Sequence, residues 1–305
     1  MYLGGWGRSG TTVLADLLGA HDGVFSGGEI RYLWQRGILG GRLCGCGKPV
    51  SGCELWQRVR KAAYGADEPA PRHVVALQDE VARVRNTPQL LWSRRTRDSA
   101  ALAEYRGLLA RLYQGIAEVT GARVIVDSSK YPSDAAIVAG LSGVEQYLVH
   151  VIRDPRAVAY SWQRPKTQLD LPTKPNMVTH STTNSSLNWV AMNLALERIG
   201  HRYGPRHRRL RYESFVDDPA REVAGLLGFL GVPDEGCPFV GRYEATLGTN
   251  HTVSGNPSRF STGTVTLAPD VEYRERQRAA DRRLVTGLTL PVLLRYRYPV
   301  RVARS

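Results

Sequence analysis

The chain begins Met1-Tyr2-Leu3-Gly4-Gly5-Trp6-Gly7-Arg8-Ser9-Gly10-Thr11-Thr12, a short apolar run followed by a glycine-rich loop. Thr11 then opens a segment in which apolar residues recur at helical spacing. The order of strand, glycine-rich loop and helix is typical of a phosphate-binding loop, because backbone N–H groups at a helix N-terminus attract anions.

This loop differs from a Walker A loop at one position. Gly5 and Gly10 have the Walker A glycine spacing, but Thr11 stands where that motif has Lys. Without the Lys, the loop is poorly equipped to grip the β- and γ-phosphates of a nucleoside triphosphate. Arg8 supplies a positive charge inside the loop instead. The stretch therefore predicts binding of a phosphorylated nucleotide by a protein that is not an ordinary ATPase.

The composition is that of a globular protein with a basic surface. The 305 residues can bury a sizeable core, and 42% are apolar. The sequence contains no run of 18 apolar residues, and the loop begins too early to leave room for a signal peptide, so we expect a soluble, cytoplasmic protein without a membrane span. The net charge of +13 favours polyanionic cofactors. Basic residues are dispersed, and only five of the 41 are Lys, so nucleic acid is not the expected partner.

The remaining pattern alternates between strands and helices. Apolar strands are predicted at residues 24–26, 123–127 and 146–153, and a basic strand at 208–212. Helices are predicted at 54–64, 98–119, 186–198 and after Pro155 and Pro219. This predicts an α/β fold, a P-loop NTPase-like, mostly parallel sheet flanked by helices. We expect a single domain over residues 1–305, with a helical insertion between about 42 and 120. That insertion and a polar loop at 165–183 are expected to form the acceptor side, since both can vary around a fixed cofactor site.

Ligands of open parallel sheets bind at the carboxyl ends of the strands. The polar residues predicted there are the loop at 8–12, Glu29, Asp127 to Lys130, Arg153 and Tyr212. Glu29 is a candidate general base, and Lys130 a candidate cation for a leaving group. Each residue also has a structural alternative: Glu29 paired with Arg31, Lys130 in solvent, Arg153 paired with Asp154 or Asp127, and Tyr212 in the core.

Several of these stretches resemble the PAPS-dependent sulfotransferases, which use 3′-phosphoadenosine 5′-phosphosulfate. Gly7-Arg8-Ser9-Gly10-Thr11-Thr12 resembles the family's 5′-phosphosulfate loop, and Arg153 followed by Ser161 resembles its 3′-phosphate motif. Ser26-Gly27-Gly28-Glu29-Ile30-Arg31 is similar to the region around the catalytic Glu of the tyrosylprotein sulfotransferases, and Lys130 stands where that group has a catalytic Lys. The matches occur in the family's order and span most of the chain.

The resemblance implies a role for each matching residue. Arg8, Glu29 and Lys130 would be catalytic, and no metal would be required for the chemistry. Tyr212 would lie beside the adenine, and Ser254 and Arg259 belong to a stretch that resembles the family's late cofactor-covering loop. The implied cofactor-binding residues are Arg8, Ser9, Gly10, Thr11, Thr12, Arg153, Ser161, Tyr212, Ser254 and Arg259.

The implied reaction is transfer of the sulfuryl group of PAPS to a hydroxyl of a small-molecule acceptor, giving PAP. At two positions where the family pattern has an arginine, this chain has another residue. Gln35, next to Arg36, stands at the first position, and Pro165, next to Arg164, stands at the second. The resemblance to the tyrosylprotein sulfotransferases therefore does not imply that this chain acts on a tyrosine of a peptide. His251 is a second candidate for contact with the sulfate. A P-loop kinase-like enzyme and a non-catalytic nucleotide- or RNA-binding module remain as alternatives.

Three of the four cysteines are close in sequence. Cys44, Cys46 and Cys53 have the spacing C-x-C-x6-C, which differs from the C-x2-C pairs common in zinc sites. Thiols packed under a glycine-rich loop, a metal clip and a local disulfide all remain open. A reducing cytoplasm disfavours the disulfide.

Overall fold

The computed structural model describes residues 1–92 and 99–301. Its main sheet has five strands in the order β2-β3-β1-β4-β5, and every neighbouring pair is parallel. The strands are β1 Tyr2–Gly4, β2 Val24–Gly28, β3 Val124–Lys130, β4 Leu148–Ile152 and β5 His207–Arg211. This confirms the predicted parallel α/β sheet. β2 and β3 run further than predicted, to Gly28 and Lys130, so β2 ends directly before the candidate residue Glu29 and β3 ends at Lys130.

Helices flank the sheet on both faces. Within the described ranges they are α1 Thr11–Leu18, α2 Glu54–Tyr64, α3 Pro71–Val81, α4 Thr87–Trp92, α5 Ala100–Thr120, α6 Pro132–Val138, α7 Pro155–Gln163, α8 Thr182–Tyr203, α9 Tyr212–Asp217, α10 Pro219–Phe229, α11 Tyr273–Arg276 and α12 Ala279–Arg295. The starts at Pro155 and Pro219 are confirmed, since Asp154 and Asp218 accept capping hydrogen bonds before them. The predicted start of α5 at Asp98 lies outside the described residues. None of these helices is both long and apolar enough to cross a membrane.

The insertion is helical where it is described. α2 and α5 pack closely, because Gly115 leaves room for the backbone of α2: an added Cβ would lie 2.8 Å from the Val59 carbonyl oxygen. Trp56, Val59, Leu112 and Ile116 form the centre of this layer. The layer covers the segment after β2, where a 3₁₀ turn, Ile30–Tyr32, leads into a π-helix, Leu33–Leu39. It thereby supports one wall of the sheet's carboxyl edge.

The sequence pattern missed a second sheet. β6 Phe239–Gly241, β7 Glu244–Leu247 and β8 Gly263–Thr266 form an antiparallel meander. Ala245 and Leu247 of β7 are buried in the same apolar cluster as Leu14 and Leu17 of α1. Strands of three or four residues are too short to produce a detectable alternation of apolar and polar residues.

Candidate active site

The loop after β1 forms an anion cradle. Gly10 has φ 85°, a left-handed conformation, at the N-cap of α1, and its carbonyl accepts the first helical bond, from Leu14 N at 3.1 Å. The N–H groups of the first turn therefore have no partner within the helix and are open to a ligand. Ser9 is buried, and its Oγ donates to the Trp6 carbonyl at 2.7 Å, which fixes the loop. Arg8 adopts φ 73° within the same turn.

A cleft of about 290 Å³ opens over this loop. Six of the residues predicted from the sequence line it: Arg8, Gly10, Thr11, Thr12, Glu29 and Lys130. They come from the ends of β1, β2 and β3, as expected for a parallel sheet.

Glu29 and Lys130 are in direct contact across the cleft wall. Lys130 Nζ donates to Glu29 Oε1, and only 14% of the Lys130 side chain is exposed, so the solvated alternative for Lys130 is wrong. On the other side, Arg36 Nη1 lies 3.8 Å from Glu29 Oε2 and donates to Ser254 Oγ at 3.0 Å. The carboxylate is thus held between two cations.

The alternative pairing of Glu29 with Arg31 is also wrong. Arg31 turns away and pairs with Asp134, with Nη1 and Oδ2 2.6 Å apart. The backbone of Glu29 is anchored separately, because its N–H donates to the Val253 carbonyl at 2.7 Å. The arginine beside the Glu29 carboxylate is Arg36 and not Arg31. Arg36 is next to Gln35, the position where the family pattern has an arginine.

Arg153 joins the phosphate loop to Tyr212. Its Nη1 donates to the Arg8 carbonyl at 3.0 Å, and its guanidinium lies 4.2 Å from the centroid of the Tyr212 ring. Its charge partner is Asp270, with Nη2 and Oδ2 3.1 Å apart, and not Asp154 or Asp127. The same Asp270 oxygen accepts from Arg164 Nη2 at 2.9 Å.

Tyr212 packs against the loop as well. A Cβ added at Gly10 would lie 2.5 Å from the Tyr212 ring, so the contact requires glycine at that position. Tyr212, Arg153 and Asp270 line a second cleft of about 480 Å³. Gly10 lines the first cleft only, so the contact between Gly10 and Tyr212 lies between the two clefts.

Two of the predicted cofactor residues, Ser161 and Arg259, are buried and line neither cleft. Ser161 is buried on α7, one turn after Ala157, which lines the second cleft; its pairing with Arg153 stays a prediction. Arg259 is fully buried and donates to the carbonyls of Thr252 and Leu43, at 2.8 and 2.7 Å. This arrangement favours a scaffold role for Arg259, beneath the loop, over the predicted contact with the cofactor.

Part of the 250–259 loop nevertheless lies against the glycine-rich loop and the start of α1. Its residues Gly255, Asn256 and Ser258 line the first cleft, and Asn256 N lies 3.4 Å from Thr12 Oγ1. His251 points elsewhere: its Nδ1 lies 3.3 Å from Cys53 Sγ, and it is not among the residues that line the cleft. The candidate contact between His251 and a sulfate is therefore not supported.

One wall of the first cleft is aromatic, which the sequence pattern did not indicate. Trp162 lies 5.5 Å from Trp6 and 4.3 Å from His180, measured between ring centroids, and Arg8 lies 4.8 Å from the Trp162 ring centroid. Met177 completes this wall, with Sδ 3.8 Å from Arg8 Nη2. These side chains come from separate segments, so no local spacing connects them.

Positive charge accumulates around the loop without full compensation. Burial, together with Arg8 and Arg164, lowers the pKa of Lys166 to about 8. Among the described residues, the buried Nε atoms of Arg8, Arg153 and Arg164 have no hydrogen-bond partner. Nε–H donors without a partner on three arginines near the loop fit a polyanionic ligand such as a nucleotide.

The carboxylate that a kinase would need for Mg²⁺ is not available here. Asp127 is buried and accepts hydrogen bonds from the Tyr113 hydroxyl at 2.6 Å and the Ser129 N–H at 2.9 Å. It does not line the cleft beside the phosphate loop. The kinase-like alternative therefore has no magnesium ligand at the expected strand end.

Comparison with solved structures identifies the fold. The sulfotransferase domain from the curacin biosynthetic pathway superimposes with a TM-score of 0.52 at 17% identity, covering 98% of this chain and 97% of that one. The chain has the sulfotransferase fold. The sulfotransferase domain from the Synechococcus PCC 7002 olefin synthase gives a TM-score of 0.47 at 18% identity, over 98% and 94% of the two chains. No family model and no curated protein matches the sequence.

Within the sulfotransferase fold, the phosphate loop, Glu29 and Lys130 occupy the carboxyl edge of the sheet, where ligands of such sheets bind. At 17% identity the likeness establishes the architecture. The activity has to be argued from the side chains of the site itself.

Proposed function

We propose that this chain is a PAPS-dependent sulfotransferase that acts on a hydroxyl of a small molecule. The observation that carries the proposal is the contact between Glu29 and Lys130 in the wall of the cleft that the phosphate loop also lines. A non-catalytic nucleotide- or RNA-binding module has no use for a carboxylate held between two cations beside an anion site.

The two clefts fit the two phosphate positions of the nucleotide. The loop at 8–12 would hold the 5′-phosphosulfate, and Arg153, with Arg164 and Ser161, would hold the 3′-phosphate. Tyr212 would lie beside the adenine. When bound, PAPS supplies a sulfuryl group carried on a phosphate leaving group.

The chain's own residues then supply three functions. Glu29 accepts the proton of the acceptor hydroxyl, a role typically worth about 10²–10⁴-fold in rate. Lys130 and Arg8 place positive charge where negative charge develops on the leaving phosphate. The loop amides fix the orientation, which matters because a loose transfer depends on alignment more than on covalent chemistry.

The acceptor side is proposed to be the aromatic wall. Trp162 and Trp6 offer flat apolar surfaces, and Met177, Val178 and His180 bring the 165–183 loop to the cleft. From the described part of the insertion, only Arg42 lines the cleft. The cleft of about 290 Å³ would be shared with the 5′-phosphosulfate, which leaves room for a small acceptor with one hydroxyl directed at Glu29.

Nucleotide binding tests the proposal directly. Arg153→Ala should weaken PAP binding far more than binding of adenosine 5′-phosphosulfate, which lacks the 3′-phosphate. Arg83→Ala, at an exposed arginine that lines neither cleft, serves as the control. Equal losses for both ligands would contradict the assignment of Arg153. PAP should also raise the melting temperature of the parent much more than ATP with Mg²⁺ does.

A further inference from the structure

Three cysteines and one histidine converge at the 250–259 loop. The ligand atoms of Cys44, Cys46, Cys53 and His251 all lie within 4.8 Å of one another. Cys46 Sγ is 3.7 Å from Cys53 Sγ, and His251 Nδ1 is 3.3 Å from Cys53 Sγ and 3.8 Å from Cys44 Sγ. The histidine comes from a segment 198 positions from Cys53 in the chain.

Three of the six separations, 3.3, 3.7 and 3.8 Å, are close to those in a tetrahedral metal site. Zinc binds thiolate sulfur at about 2.3 Å and imidazole nitrogen at about 2.0–2.1 Å. At a tetrahedral angle, two such sulfurs lie about 3.8 Å apart, and a sulfur and a nitrogen about 3.6 Å apart. Three thiols and one imidazole are also a complete ligand set for a closed, four-coordinate structural zinc.

The backbone around the cysteines is shaped to bring them together. Gly47 has φ 83°, and Gly47 N donates to the Cys44 carbonyl at 2.9 Å, which closes a tight turn that carries Cys44 and Cys46. A Cβ added at Gly45 would lie 1.9 Å from Asn250 Oδ1, so the turn can approach the His251 segment only because residue 45 is glycine. The close approach of the two segments is therefore encoded in the sequence.

A disulfide, or packing of the thiols without a ligand, explains fewer of these contacts than a metal site does. A disulfide would use two of the three sulfurs, at a bonded distance of about 2.05 Å, and leave a third thiol and an imidazole beside it. Packing alone gives no reason for His251 to direct Nδ1 at two sulfurs. Cys237, by contrast, is exposed and lies in a separate group with His21 and Asp234, which offers one thiol where this cluster offers three.

We propose that Cys44, Cys46, Cys53 and His251 bind one Zn²⁺ ion in a closed structural site. Binding releases the thiol protons, and the ion takes no part in the reaction chemistry because all four positions are filled by protein. The proposal goes beyond the proposed function and does not depend on it.

The metal would link the insertion, which carries the three cysteines, to the 250–259 loop, which carries His251. Trp56 Nε1 donates to the His251 carbonyl at 2.8 Å, and Gly45 N donates to the Thr252 carbonyl at 3.0 Å. Two residues beyond His251, the Val253 carbonyl accepts from the backbone of Glu29. A metal at this point therefore stabilises the segment that anchors the candidate base.

Metal analysis of the purified parent tests the proposal without relying on any variant. Protein prepared under reducing conditions from zinc-supplemented cells should contain about one zinc per chain. Replacement by Co²⁺ should give thiolate charge-transfer bands and the intense visible bands of a tetrahedral ion. Cys46→Ser should lose most of the zinc, whereas Cys237→Ser, the matched control, should keep it.

Three results would overturn the proposal. They are a reduced parent that carries no zinc and takes up no Co²⁺, a Cys46–Cys53 disulfide detected by mass in protein prepared with reductant, and zinc content equal in the parent and a folded Cys46→Ser variant. If Cys46→Ser does not fold, the Co²⁺ spectrum of the parent still decides, because only coordination by several thiolates produces those bands.

Discussion

The guanidinium of Arg153 is paired with the carboxylate of Asp270, with Nη2 and Oδ2 3.1 Å apart. Arg164 shares the same oxygen, and the two arginines hold the pKa of Asp270 below its usual value although burial opposes this. An ionised carboxylate thus lies at the point where we propose that the 3′-phosphate binds. A bound 3′-phosphate would have to displace the Asp270 carboxylate from Arg153 and Arg164.

Asp270→Asn should therefore strengthen PAP binding, by roughly tenfold, which corresponds to about 1.4 kcal/mol. The substitution removes the negative charge that competes with the phosphate and keeps the size of the side chain. Isothermal titration calorimetry with PAP measures the effect, with Asp79→Asn on the exposed face of α3 as the control. Weaker binding in Asp270→Asn would instead assign Asp270 to a supporting role for the arginines.

Glu29→Gln should lower turnover by roughly 10²-fold or more, with PAP affinity little changed. Glutamine keeps an oxygen for Lys130 to donate to, but it cannot accept the acceptor's proton. Glu54→Gln, which alters an exposed glutamate paired with Lys48 at 2.7 Å, should retain parental turnover. Near-normal turnover in Glu29→Gln on the true acceptor would rule out the base assignment.

Lys130→Ala should also lower turnover, mainly through the chemical step and less through PAP affinity. Because Lys130 and Glu29 are in contact, the losses in the single variants should not add up in the double variant. Rates of a single turnover at saturating nucleotide measure this. Additive losses would mean that the two residues act independently. Lys61→Ala on α2 is the control for the loss of a positive charge at the surface.

PAP affinity should fall as the pH rises through about 8. Lys166 loses its proton there in the free protein, and a bound polyanion favours the protonated form. Binding above this pH must therefore take up a proton, whereas below about pH 7 the lysine is already charged. Lys166→Met should flatten this part of the profile, and Lys174→Met, in the same loop, should not. A profile unchanged by Lys166→Met would assign the pH dependence to another group.

The grouping of the glycine-rich loop with Glu29 and Lys130 at one cleft could be predicted from the sequence, because its signals are local. Glycine spacing in the loop at 5–10 and apolar strands ending at Glu29 and Arg153 each lie within a few residues. The aromatic wall could not be predicted, because Trp6, Trp162 and His180 meet only after folding. The partnership of His251 with the cysteines could not be predicted for the same reason, since spacing rules apply only along one segment.

The contact between Gly10 and the Tyr212 ring couples the two ends of the proposed nucleotide site. The loop cannot move toward Tyr212 without displacing the ring. A substitution at residue 10 would be felt at both ends at once. Met177 and His180, which we propose to face the acceptor, line the first cleft and not the second. Substitutions at these two positions should therefore change acceptor preference more than nucleotide affinity.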